Sequence, residues 1–341
     1  MAMINTVLGP VDASSLGVVL AHEHILVDLS CLWHQPADPS RAHLVDASID
    51  LSNRALLQCD PYNSKSNLIL DDVSLAIEEI KEFRKYGGGT IVDLSAASIG
   101  PYPEELRQIA EATGVNLIAG SGYYTRRAHP DWIASSSVEE IASRIIRDLS
   151  EGFEGTNVKA GIIGEIGTSN PIHPDEEKVL AASALAQKET GAAINVHLPI
   201  FGRQGHKVID ILEREKADLS RVALSHLDEV LDYEYHLELA KRGVFVEFDC
   251  FGSEFYFDED GEREPSDYER INFLPKLINA GLTSQILISQ DVCTKLHLLR
   301  YGGYGYAHIL RSIIPRLKAG GLDDGVIDTI LRKNPVRLLV G

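Results

Sequence analysis

Short β-branched runs that alternate with longer amphipathic segments, from about residue 70 onward, limit what this chain can fold into more than any other feature. That rhythm marks successive βα units and a parallel sheet. Candidate strands run over Val18 to His22, Thr90 to Leu94, Asn116 to Ser121, Gly161 to Glu165, Ala193 to His197, Val222 to His226, Val244 to Phe248 and Ile286 to Ser289. Between them, apolar residues return every three or four positions, as in Leu75, Ile77, Ile80 and Phe83, which is the spacing of a helix with one buried face. Similar stretches cover Glu104 to Ala112, Val138 to Leu149, Glu176 to Glu189, His206 to Glu215, Tyr235 to Lys241, Tyr268 to Ala280 and Ala307 to Lys318. Gly114, Gly191, Gly243 and Gly281 stand where a left-handed helix cap would lead into the next strand. The expected architecture is a (β/α)8 TIM barrel of the α/β class, with residues 1–341 as a single domain.

The exception is Leu29 to Asn67, rich in Asp, Ser, Asn and Pro, where the first strand would hand over to its helix. A βα loop of that length usually carries function. Subtracting 50 Asp and Glu from 32 Lys and Arg leaves a net charge of -18, the wrong sign for gripping a phosphate backbone or an anionic lipid surface. Nucleic acid and membrane partners are set aside, and a small-molecule substrate is expected. Cys31, Cys59, Cys250 and Cys293 lie far apart without a CxxC pair and read as reduced thiols. No basic segment followed by an apolar run opens the sequence, and no apolar stretch approaches the roughly 18 residues of a membrane span, so a cytoplasmic protein is expected.

In such a barrel the chemistry sits at the C-terminal ends of the strands. The first candidate strand ends in His22-Glu23-His24, the fourth in Glu165, the fifth in His197, the sixth in His226 and the eighth in Asp291. Alternate side chains of a strand point to opposite faces, so His22 and His24 share a face and Glu23 points away. Imidazole and carboxylate are ligands for zinc, manganese, iron or cobalt, and six of them exceed what one catalytic ion with an open position needs. Two divalent ions bridged by a carboxylate suit the count, with zinc as the first choice. Such a pair lowers the pKa of a shared water and polarises a carbonyl or phosphoryl oxygen, which makes hydrolysis the expected reaction.

Taken singly, each residue has a bland explanation, since a lone His is more often a hydrogen-bonded structural group and a lone carboxylate a cap or an ion-pair partner. Five strands that each end in a ligand-type residue are not explained that way. The remaining histidines, among them His34, His129, His297 and His308, fall in expected loops or helices and are assigned solvated or structural roles. Glu247, Asp249 and Glu254 around the seventh strand could form a glycosidase-like acid/base pair, which leaves the histidines unexplained.

The HxH after the first strand, the single His after the fifth and sixth, and the Asp after the eighth resemble the amidohydrolase superfamily and, within it, the phosphotriesterase family. The likeness covers almost the whole chain. The segments from Lys159 to Gly167 and from Tyr301 to Tyr306 are most similar to the phosphotriesterase-related and phosphotriesterase homology proteins. The resemblance implies that His22, His24 and Asp291 bind the more buried metal, and His197 and His226 the exposed one. Many members bridge the metals with a carboxylated lysine after the fourth strand; here Gly164 stands there, and Glu165 beside it is similar to the glutamate bridge of the homology-protein branch. The proton-relaying His that organophosphate hydrolases carry after strand seven has no counterpart, because Asp249 is followed by Cys250. Organophosphates are therefore poor expected substrates, and the branch implies an ester, lactone or amide.

The expected mechanism is attack by a metal-bridging hydroxide on an amide or ester carbonyl, with Asp291 accepting the proton and returning it to the leaving group. Tyr124 resembles a family position near the metals and could touch the substrate. Arg126, Arg127, Lys295 and Arg300 lie in loops and could receive a carboxylate, phosphate or sulfonate. With the resemblance, these imply an anionic N-acyl amino compound, similar to the N-acyl amino acid and N-acetyltaurine amidase activity associated with this branch. The alternatives are a lactonase on sugar or acyl-homoserine lactones, a promiscuous phosphotriesterase, and a non-catalytic small-molecule-binding barrel. A homodimer is compatible with an enzyme of this size, although no interface is legible in one sequence.

Overall fold

The computed structural model describes residues 2–258 and 261–341. At its centre lie β1 (Val18–Glu23), β2 (Gly88–Asp93), β3 (Asn116–Ser121), β4 (Ile162–Gly167), β5 (Ile194–His197), β6 (Val222–Leu224), β7 (Phe245–Phe248) and β8 (Ile286–Ile288). Each strand pairs in parallel with its neighbour in sequence. β1 and β8 meet at a seam where the Asp291 N–H donates to His22 O (3.3 Å) and the His24 N–H to Val292 O (3.2 Å). Around this (β/α)8 barrel run α1 (Val73–Lys85), α2 (Pro103–Thr113), α3 (Val138–Ser150), α4 (Pro174–Thr190), α5 (Gly205–Arg214), α6 (Tyr233–Lys241) and α7 (Asp267–Asn279). Gly114 caps α2 and Gly191 caps α4 in the left-handed conformation, at φ 66° and 72°. The eighth expected helix opens as a π-helical turn over Ile309–Ile313 and becomes α over Ile314–Ala319. Pro315 offers no N–H to the carbonyl one turn earlier, and a wider turn absorbs that loss.

The barrel interior is filled by Val19, Ile118, Ile162, Ala223, Phe245 and Leu287. Its floor is closed by elements that the sequence pattern did not announce: the hairpin Met3–Thr6 with Gly9–Asp12, and the C-terminal helix Asn334–Val340. Ile4, Leu338 and Leu339 from these pieces join the same apolar cluster. The opposite strand faces, including Leu20, Ile91, Leu117, Val196 and Val246, pack into the helical layer.

Two of the β-bulges set the direction of rim residues. Between the pairs Leu20 with Ile91 and Glu23 with Asp93, β1 uses one residue more than β2. Strict alternation from inward-facing Val19 and Ala21 would turn His22 and His24 toward the helices; the extra residue reverses the phase. β4 repeats the device, pairing Ile163 with Ile194 and Ile166 with Val196, and the extra residue brings Glu165 inward. Gly164 at φ 144° makes this bulge possible, since a Cβ there would lie 2.9 Å from Asn195 O.

Residues 29–67 form a string of 3-10 turns and one short helix, Arg54–Leu57. Leu44, Ile49 and Leu57 from this segment pack with Phe255, Phe257 and Leu296 into a separate small core. Asn67 ties it to the loop after β8 by accepting from the Leu296 N–H at 3.0 Å. Among the described residues, no helix is long and apolar enough to cross a membrane.

Candidate metal centre and substrate cavity

The rim brings His22, His24, Glu165, His197, His226 and Asp291 together. Glu165 Oε1 lies 3.6 Å from His22 Nε2 and 3.3 Å from His24 Nε2, and Asp291 Oδ1 lies 3.7 and 3.3 Å from the same two nitrogens. Glu165 Oε2 lies 2.8 Å from His197 Nδ1 and 3.8 Å from His226 Nε2, and those two histidine nitrogens are 2.8 Å apart. The two oxygens of one carboxylate therefore face two different sets of donors. His22 Nε2, Glu165 Oε2 and Asp291 Oδ1 are buried without a hydrogen-bond partner. Buried polar atoms are rarely left so. Two ligands of one tetrahedral ion, each about 2.1 Å from it, stand roughly 3.4 Å apart, so the His22, His24, Glu165 and Asp291 spacings fit a divalent cation.

The far sides of the imidazoles are fixed by other residues. Asp249 Oδ2 lies 2.9 Å from His22 Nδ1, while its Oδ1 accepts from the His226 N–H (2.8 Å) and lies 3.1 Å from His226 Nδ1. One carboxylate thus orients a histidine from each set, which leaves both Nε2 atoms facing the centre. Ser95 Oγ does the same for His24 Nδ1 at 3.0 Å. Beneath the centre, His22 Nδ1 also meets Ser225 Oγ (3.0 Å), Ser225 donates to Asn195 Oδ1 (2.7 Å), and Asn195 donates to Glu247 Oε2 (2.6 Å). Burial opposes the charge on Glu165, but the surrounding histidines hold its carboxyl well below the usual range. Burial likewise works against protonation of His22 and His226, and Asp249 overrides it and pushes both upward. The glycosidase-like grouping is not assembled: Asp249 serves the imidazoles, Glu247 belongs to the layer below, and Glu254 accepts from the Asp267 N–H at the start of α7.

A cavity opens over the centre. Leu29, Leu32, Pro61 and Tyr62 from the long first loop line it, together with Ile200 and Phe255. Tyr124 also lines it, with its hydroxyl 3.4 Å from His197 Nε2. The four cations expected to meet an anionic substrate lie elsewhere. Arg126 pairs with Asp175 (3.1 Å), Lys295 reaches Ser66 (3.3 Å) beside a different depression, and Arg300 is exposed. Arg127, named with them, is also exposed. None of these four side chains lines the cavity, although Tyr124 stands two residues before Arg126 and Thr294 and His297 flank Lys295 in the same loops. Conversely, His297 and Cys293 do line the cavity, although sequence reasoning passed His297 over as structural. Its place in the loop after β8 was the available signal.

A (β/α)8 barrel that gathers four histidines and two carboxylates at its C-terminal rim defines a metal-dependent hydrolase. The chain belongs to the phosphotriesterase family, whose model matches residues 2–339, and that family is one of binuclear metal enzymes. It is 38% identical over 340 residues to the N-acetyltaurine hydrolase of Xenopus tropicalis, covering 98% of this chain and 97% of that protein. The resiniferatoxin-binding protein from Rhodobacter sphaeroides matches with a TM-score of 0.97 at 41% identity, over 99% of this chain and 95% of that one. The lactonase Lmo2620 from Listeria monocytogenes matches with a TM-score of 0.81 at 26% identity, over 99% of both chains.

Proposed function

We propose that this chain hydrolyses the amide bond of a small N-acyl amino compound with the help of two divalent cations, zinc first, with manganese, cobalt or iron as alternatives. The observation that carries this is the division of Glu165, whose Oε1 faces His22 and His24 and whose Oε2 faces His197 and His226. His22, His24 and Asp291 would hold one cation, His197 and His226 the other, and Glu165 both. When bound, such a pair supplies an acidified water and a Lewis acid for the carbonyl oxygen.

Asp291 takes the proton of the attacking water and returns it to the leaving nitrogen, which leaves poorly as an unprotonated amide. The Tyr124 hydroxyl, 3.4 Å from His197 Nε2, would hydrogen-bond the substrate. Leu29, Leu32, Pro61 and Phe255 keep bulk water from the acyl side. Relatives named N-acetyltaurine hydrolase support an amide as the bond cleaved. The likeness to a lactonase supports a second reading, in which the same groups open a ring ester and the leaving alkoxide needs less help from Asp291.

The test is amine release from N-acyl amino acids and N-acetyltaurine, with lactones and a phosphotriester alongside, by wild type and Glu165→Gln. Opening of a lactone with every amide untouched selects the second reading. An absence of turnover on all substrates after zinc or manganese addition would leave a small-molecule-binding barrel. We further propose a one-domain enzyme of the cytoplasm; sedimentation reports whether it forms a homodimer.

A further inference from the structure

We infer that Glu229 and Glu264 form a subsite for a protonated amine carried by the substrate, beyond the amide that is cut. This rests on the amidase reading and narrows it. Both residues line the cavity, and among the described lining residues there is no Lys or Arg. Behind this wall lies Arg270, fully buried, with Nε 2.8 Å from Asp228 Oδ2, Nη2 2.8 Å from Glu229 Oε1 and Nη1 2.7 Å from Ser253 O. Glu264 Oε2 accepts from Ser253 Oγ (2.6 Å) and the Phe255 N–H (2.7 Å). The guanidinium therefore pairs with Asp228 and Glu229, while Glu264 is held by Ser253 and Phe255 instead.

Glu229 Oε2 is the atom left over, buried and without a hydrogen-bond partner. An orphaned carboxylate oxygen on a cavity wall asks for a donor from the ligand. A primary ammonium matches this wall, because it brings three donors and a compensating charge into a setting where one more anion would be repelled. Sulfonates and carboxylates find no cationic partner here. The specificity of this chain is thereby assigned to acyl compounds with a free second amine.

Four acetamides with the same two-carbon arm separate the possibilities: N-acetylethylenediamine, N-acetylethanolamine, N-ethylacetamide and N-acetyltaurine. For the metal-loaded enzyme we expect kcat/KM for the ammonium compound to exceed those for the ethyl and sulfonate compounds at least tenfold. In Glu229→Gln and Glu264→Gln that ratio should fall at least tenfold. A preference for the sulfonate, or a ratio unchanged in both variants, overturns the subsite. Thermal shifts of the holoenzyme with the same compounds provide a readout that does not need turnover. If none of the amides is cut, the amidase reading fails, and the order of those shifts still decides the subsite.

Discussion

Glu23 and Asp291 are joined through the backbone: the Glu23 carboxylate accepts the N–H of Gln290 (2.9 Å) and of Val292 (2.8 Å), the residues on either side of Asp291. It also accepts from Ser289 Oγ at 2.8 Å. Asp291 has φ 45°, a left-handed conformation that a side chain disfavours. The clamp at the barrel seam holds it there. Glu23→Gln, which keeps the shape but offers one acceptor oxygen instead of two, is expected to lower kcat and metal affinity by roughly 10- to 100-fold. Metal content after dialysis and steady-state kinetics report both, and unchanged values would remove Glu23 from this role.

Asp291→Asn separates base from ligand. Turnover of an amide is expected to drop by about 10²- to 10⁴-fold, the usual worth of a positioned proton-transfer group. Metal content should fall far less. A parallel loss of both would reduce Asp291 to a ligand.

Removing metal should cost stability as well as activity. A ligand present at 100 times its Kd stabilises the folded state by about 2.7 kcal/mol per site, and the partnerless atoms of His22, Glu165 and Asp291 are buried in the centre. Dialysis against a chelator is expected to lower Tm by several degrees, with recovery on adding zinc or manganese. Glu165→Gln should show little of that recovery.

The acid side of the stability profile should carry a contribution from His297. Burial lowers its pKa to about 4, from an ordinary value of 6.5. Its Nδ1 accepts from the N–H of Cys293 and Thr294, so Nε2 carries the hydrogen toward Ser253. Below pH 6.5 the unfolded chain takes up a proton that the folded chain refuses until about pH 4, so stability is lost as pH falls through this window. The loss amounts to about 3 kcal/mol at most. Urea unfolding at pH 7 and pH 5 should show a smaller decrease for His297→Gln than for wild type; equal decreases would remove this group from the account.

The barrel is legible in the sequence because parallel strands buried on both faces read as continuous apolar runs. His197 and Asp291 then follow from plain alternation with Ala193 and Leu287. His22, His24 and Glu165 do not, since their inward direction depends on bulges, of which only Gly164 leaves a mark. Asp249 shows why roles are harder to read than membership: a carboxylate that orients imidazoles looks, in sequence, like one that transfers protons. Arg126, Lys295 and Arg300 failed to reach the cavity for a related reason, as a charge in a loop carries no sign of where the loop will turn. The N-terminal hairpin escaped notice because its strands are only four residues each.

The mouth of the barrel is roofed by a segment that shares a small core with the loops after β7 and β8, apart from the layer of residues that would grip the cations. Such a separation lets the two halves of the enzyme drift at different speeds. A graft of residues 29–67 from a relative would redraw the list of molecules admitted while the machinery below kept its settings, which gives a family like this one an inexpensive way to acquire new diets.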